Sequence, residues 1–235
     1  MEKNTFNELL KNLNIEATDD QYEKLIEYYN LLISWNEKIN LTSITDKQEV
    51  FIKHFYDSLS INQVVDLTKI DTLCDIGTGA GFPGIVLKIM FPNVEITLVD
   101  SLTKRIKFLE EVKTRLKLDK LNIVNSRAED FSRKNREQYD IVTSRAVAKL
   151  NVLLEISFSL VKVNSYFIAM KSTNYDEEIK LSTRALEELN GTVERIEQLE
   201  LPIIKEPRTL IRIKKNEKTK EKYPREFKQI SKKPL

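Results

Sequence analysis

At 235 residues, with 41% hydrophobic and 31% charged side chains, the chain has room for one large domain with an appendage and the composition of an ordinary soluble globular protein. Its apolar runs, such as "LLEISFSLV" (153–161), fall far short of the roughly 20 residues of a membrane helix. The first residues, "MEKNTFNELLKNLN", lack the apolar centre of a signal peptide, so a cytoplasmic protein without a membrane partner is expected. One cysteine, Cys74, and one histidine, His54, exclude an intramolecular disulfide and the usual kind of zinc site.

The first seventy residues read as helices. Thr18 and Gln21 form the two ends of a capping box. Tyr22, Leu25, Ile26, Tyr29, Leu32, Ile33 and Trp35 then follow at near-helical spacing. "NLTSIT" (40–45) is a polar break, and 46–61 is a second amphipathic stretch. Beyond residue 70 short apolar strands alternate with helical stretches. "DTLCDIG", "VEITLVD", "LNIVNS", "YDIVTSR" and "SYFIAMK" are the strands, and "AVAKLNVLLEISFSLV" (146–161) is among the helices between them. Five such units predict an α/β fold with a mostly parallel sheet and helices on both faces. After a helix over 174–189, "GTVERIEQLEL" and "RTLIRIKK" add two strands able to pair antiparallel, giving seven in all. A helical extension over 1–65, a core over 66–215 and a basic tail over 216–235 are expected. From Lys205 onward twelve Lys/Arg face four Asp/Glu, a net of +8; with +2 overall, the rest sums to −6. A charge run of this kind is a solvated tail or one side of a polyanion site.

Four of the five glycines, Gly77, Gly79, Gly81 and Gly84, fall within "DIGTGAGFPG" (75–84). This density marks close approach of backbone to a ligand. Gly79-x-Gly81-x-x-Gly84, with Asp100 ending the next strand, formally matches a dinucleotide fingerprint. Two details oppose a diphosphate there. Asp75 would repel it, and Phe82-Pro83 puts a ring and a residue without N–H where amides are needed. No Gly-Lys-Ser/Thr follows, which excludes a triphosphate loop. S-adenosylmethionine fits better, because its ammonium and sulfonium tolerate Asp75 and its ribose suits Asp100. In "NSRAED", Ala128 and Glu129 stand where they can read an adenine edge or simply favour a helix dipole. Arg145 ends the fourth strand at the same sheet edge.

These residues carry a family resemblance. "WNEKINLTSI" (35–44), "HFYDSLS" (54–60), "DIGTGAGFPGIVLKI" (75–89), "DSLTKRIKFLEE" (100–111), "SRAED" (126–130), "SRAVAKL" (144–150), "AMK" (169–171) and "KYPREFKQISKKPL" (222–235) closely resemble the bacterial small-subunit ribosomal RNA guanine-N7 methyltransferases, the glucose-inhibited division protein B family. The resemblance implies a Rossmann-like class I methyltransferase core. It also implies S-adenosylmethionine contacts from Gly77, Phe82, Ala128, Glu129 and Arg145, and methylation of one guanine in the decoding-region loop of 16S rRNA on the small ribosomal subunit. One departure stands out: the family's tail has Gly-x-Pro before its final Lys-x-Pro-Leu, where this chain has "FKQISKKPL".

Guanine N7 has an in-plane lone pair and no proton, so no general base is needed. His54 is expected to be structural, with Asp57 one turn away. N7 lies in a major groove that A-form RNA closes to side chains, so the target must sit in a loop or be extruded. Lys171, Lys214, Lys215, Arg225, Lys232 and Lys233 are the candidates for holding phosphates. A monomer is expected. The rival readings are an NAD-dependent oxidoreductase, a non-catalytic ribosome-binding factor, and methylation of another acceptor such as tRNA or protein.

Overall fold

In β1 (Thr72–Ile76), Leu73 lies in one hydrophobic core, and Cys74 and Ile76 lie in the other. The same division runs through the sheet: Ile168 and Met170 fall on the first side, Phe167 and Ala169 on the second. A strand alternates its side chains, so a sheet with both faces buried shows apolar residues at both parities. The computed structural model describes residues 1–145, 148–172 and 175–235. The expected helical positions 146–147 and 174 lie outside the described residues.

The remaining strands are β2 (Glu95–Asp100), β3 (Leu121–Asn125), β4 (Tyr139–Arg145), β5 (Val161–Lys171), β6 (Gly191–Glu200) and β7 (Pro207–Lys215). Their order is β3-β2-β1-β4-β5-β7-β6, with β7 antiparallel to both neighbours. The seven-stranded, mostly parallel sheet is as the sequence predicts. Chain order also reverses between β1 and β4, which opens a crevice at their carboxyl ends.

One face carries α1 (Lys3–Leu10), α2 (Asp19–Ile39), a helical stretch over 47–63, α5 (Gly84–Met90) and α6 (Thr103–Leu116). That stretch consists of α3 (Lys47–Val50), a π-helical turn over Phe51–Tyr56, α4 (Asp57–Leu59) and a 3₁₀ turn. The Thr18–Gln21 capping box forms as expected. The Gln21 amide also donates to the Ile89 and Met90 carbonyls, so one side chain starts α2 and ties it to the end of α5. The opposite face carries α7 (Ala128–Lys134), α8 (Leu150–Ser157), α9 (Tyr175–Leu181) and α10 (Thr183–Leu189). The single helix expected to 189 is thus divided at Ser182. After β7 the chain recrosses this face and ends in α11 (Phe227–Lys232), with Tyr223, Ile230 and Leu235 buried in the second core. Among the described residues no helix is long and apolar enough to cross a membrane.

Candidate active site

Apart from Ala80, the N–H groups of the glycine loop are satisfied within the protein. Gly77 and Thr78 donate to the Val99 carbonyl, and Gly81 and Phe82 donate to that of Thr78. Gly79 donates to Asp100 Oδ2 and Gly84 to Asp75 Oδ2. Pro83 has no N–H. A loop that cradles a diphosphate needs these donors free, so this one is built for a different ligand. The glycines also divide by task. Gly77 and Gly79 line a cavity of about 650 Å³. Gly81 is pressed against Ile85 and Tyr28, and Gly84 against Leu98 and Asp75.

Asp75 does not reach the cavity wall, contrary to the expected ligand contact. Strand parity turns it toward α5, where Oδ2 accepts from Thr78 Oγ1 (2.6 Å) and Gly84 N (2.9 Å). Its Oδ1 is buried without a partner among the described residues, and burial pushes its carboxyl up to about 6. Gly81, likewise, is a packing residue. Asp100 does line the cavity, at the end of β2, where a ribose-binding acid belongs. Its oxygens already accept from Gly79 N, from Leu102 N and from Arg105 Nη1. Ala128 and the buried Glu129 line the wall beyond it, at the start of α7.

Arg145 is the hub of the far wall. Its guanidinium lies 4.9 Å from the centre of the Phe82 ring. Nη1 donates to the Lys53 carbonyl (3.2 Å) and to Asp57 Oδ2 (3.0 Å). The His54 ring stacks on Phe82 with centroids 4.4 Å apart, and its Nδ1 is 3.3 Å from Arg145 Nη2. Its Nε2 is 2.9 Å from Thr42 Oγ1. Burial, reinforced by the Arg145 cation, drives the imidazole down to about 3. His54 therefore sits at the site, although sequence reasoning assigns it only a structural role. It and Asp57 meet through Arg145 and not directly. "HFYDSLS" carried that signal: positions i and i+3 share a helical face.

A second cavity of about 740 Å³ shares His54 and Arg145 with the first. Lys53, Lys149, Lys171 and Arg208 line it, with Asp57, Glu178 and Glu206. Arg208 Nε is 3.3 Å from Asp57 Oδ1, so one buried carboxylate from α4 stands between guanidiniums from β4 and β7.

The cations expected to hold phosphates separate under the geometry. Lys215 is fully buried, with Nζ 3.4 Å from Glu137 Oε1 and from the Phe158 carbonyl; burial lowers it to about 8. Arg225 grips the buried Glu155 carboxylate. Neither is free for a phosphate. Lys171 is nearly buried, donating to the Ala148 carbonyl and to Glu178, both at 2.7 Å, in the wall of the second cavity. Lys214 is partly exposed near Glu194, and Lys232 and Lys233 are exposed on and after α11.

Residues 21–210 match the family model described as GidB: rRNA small subunit methyltransferase G. The chain is 46% identical over 231 residues to the Staphylococcus carnosus protein named ribosomal RNA small subunit methyltransferase G, covering 97% of this chain and 96% of that one. The Bacillus licheniformis protein of the same name is 44% identical over 228 residues, covering 96% and 95%. Among solved structures, M. jannaschii TYW2 in complex with AdoMet shares the fold at a TM-score of 0.57 and 13% identity, covering 74% of this chain and 79% of that one. A SAM-dependent O-methyltransferase from Thermotoga maritima does so at 0.52 and 16%, covering 80% and 73%. Sequence, loop geometry and sheet order agree, and the chain belongs to the GidB family, rRNA small subunit methyltransferase G.

Proposed function

We propose that the chain transfers a methyl group from S-adenosylmethionine to N7 of a single guanine of 16S ribosomal RNA. The observation that carries this reading is the junction of two cavities at His54, Phe82 and Arg145. One cavity has the size and the carboxylate of an adenosyl site, and the other is lined by side chains suited to an RNA base. Bound S-adenosylmethionine supplies an electrophilic methyl on a sulfonium. Gly77, Gly79, Phe82, Asp100, Ala128, Glu129 and Arg145 are the residues of this chain that would hold it. The loop amides, engaged within the protein except at Ala80, favour this ligand over NAD, and Asp75 Oδ1, unpartnered among the described residues, adds buried negative charge behind a cationic ligand.

In the second cavity, Glu178 and Glu206 suit the N1–H and N2–H donors of guanine, and Lys171, Lys53 and Arg208, with which they now pair, suit O6 and phosphate once a base displaces those pairs. The exposed Lys232 and Lys233 extend positive charge beyond it. Positioning alone can supply about 7–11 kcal/mol of the barrier. No proton need move, and His54, held near 3, is too weak a base to take one at neutral pH.

The decisive experiment maps methylated guanines in 16S rRNA from cells with and without the protein. Loss of one N7-methylguanine is expected, and an unchanged map overturns the assignment. A second test is the pH profile. His54, near 3, is neutral at pH 7, and Asp75, near 6, is already about nine-tenths ionised there. The single-turnover rate should therefore vary by no more than about twofold between pH 7 and 9, and a tenfold rise per pH unit would mean that a base takes a proton in the slow step.

A further inference from the structure

The last twenty residues are fastened along the second face by side chains of the core. Arg136 donates to the Thr219 and Tyr223 carbonyls. Arg133, on α7, donates to the Pro224 carbonyl and pairs with Glu226. Glu155, on α8, holds Arg225, and Asn151 donates to the Leu235 carbonyl. Tyr223, Ile230 and Leu235 are buried, yet Phe227, the first residue of α11, is 42% exposed. It lines the first cavity together with Ala128, Glu129 and Ile156. An apolar ring left half in water at a cavity wall gains when a ligand covers it. Phe227 also stands in "FKQISKKPL", where the tail departs from the pattern of the family it resembles.

Asp100 fixes which end of the cavity this is. With a ribose on Asp100 at the end of β2, the wall next to it is the loop after the neighbouring β3, which leads into Ala128 and Glu129 and leaves room there for the base. Phe227 stands on the same stretch of wall. We infer that Phe227 is a cofactor-binding residue whose ring forms the outer wall of the adenine end, so that the C-terminal strap completes the S-adenosylmethionine pocket. Glu155 and Arg133 are then positioning residues, because they fix the two residues that precede the ring. The inference rests on the proposed cofactor.

Calorimetric titration of the full chain with S-adenosylmethionine and with 5′-methylthioadenosine tests it, since the two share the adenosine and differ in the amino acid and the sulfonium charge. Phe227→Ala should weaken both by the same factor, roughly 3- to 10-fold. Phe227→Trp should stay within about twofold of the native chain, and Lys228→Ala, on the exposed neighbour, should change neither. The thermal midpoint without ligand should fall by only a few degrees in Phe227→Ala, because the residue is already 42% exposed. Unchanged affinities in Phe227→Ala overturn the inference. Loss confined to S-adenosylmethionine also overturns it, since the contact would then be with the sulfonium or the amino acid and not with the base. If the native chain binds neither molecule, the proposed cofactor itself fails.

Discussion

Asp57→Asn should lower the stability of the protein by about 3 kcal/mol and slow methyl transfer by about 100-fold. Asp57 is 3% exposed and is the only carboxylate that contacts both Arg145 and Arg208 among the described residues. Asparagine keeps its shape and removes its charge. Two largely buried guanidiniums, from β4 and β7, would then face each other across a neutral amide. Breaking a buried ion pair on one side costs more than the pair contributes, because the stranded charge must be resolvated. The kinetic effect has a separate origin. Nη1 of Arg145 is held by Asp57 and the Lys53 carbonyl while its guanidinium lies against Phe82. Release of that arginine misplaces the junction between the cavities, and an error of about 1 Å can cost a factor of about 100. Denaturant unfolding and single-turnover methylation at saturating cofactor are the measurements. A variant as stable and as fast as the native chain would show that the carboxylate is incidental to the site.

Local chemistry made the frame legible. The Thr18–Gln21 cap forms because both partners are three residues apart, and the strands are visible because their apolar residues are bounded by polar turns. The glycine loop was legible as a close approach, but not what it approaches. Half of that answer lies in Ile85, Tyr28 and Leu98, which only the folded chain brings to it. "HFYDSLS" showed that His54 and Asp57 share a face, but not that they and Thr42 stand at the site, for a related reason. They reach the site from the helices and connecting loop that precede the sheet, 88 or more residues from Arg145 in the two contacts that define it. The basic tail misled because composition counts charges and not their partners. For Lys215 the signal was present: Ile211, Ile213 and Lys215 share a strand parity, and the first two are fully buried. For Arg225 no such signal exists, since Glu155 lies 70 residues away on a different helix. Exposure, and not charge, is what leaves Lys232 and Lys233 available to a polyanion.

Gly81→Ala should cost about 2–4 kcal/mol of stability and abolish S-adenosylmethionine binding, while Gly79→Ala should weaken binding at least tenfold at a cost of only about 1 kcal/mol. The two positions look alike in sequence and both have positive φ, +98° at Gly81 and +62° at Gly79. What differs is the space beside them. A Cβ at Gly81 would lie 2.4 Å from Ile85 Cγ1 and 3.0 Å from the Tyr28 hydroxyl. Tyr28 is fully buried and donates to the Ala80 carbonyl, so it has little room to retreat. The loop and the helical layer would be forced apart, and the cavity would lose its floor. A Cβ at Gly79 meets nothing nearer than the Gly77 carbonyl at 4.0 Å and points into open space at the cavity wall. Only the left-handed backbone resists it, by about 1 kcal/mol. The added methyl would then stand where the ligand must lie, beside the Asp100 carboxylate that already holds the Gly79 amide. Denaturant unfolding with calorimetry on both variants separates the two roles. Equal stability losses would mean that Gly79, like Gly81, is needed for packing, and the division of the glycines into ligand-facing and protein-facing pairs would fall.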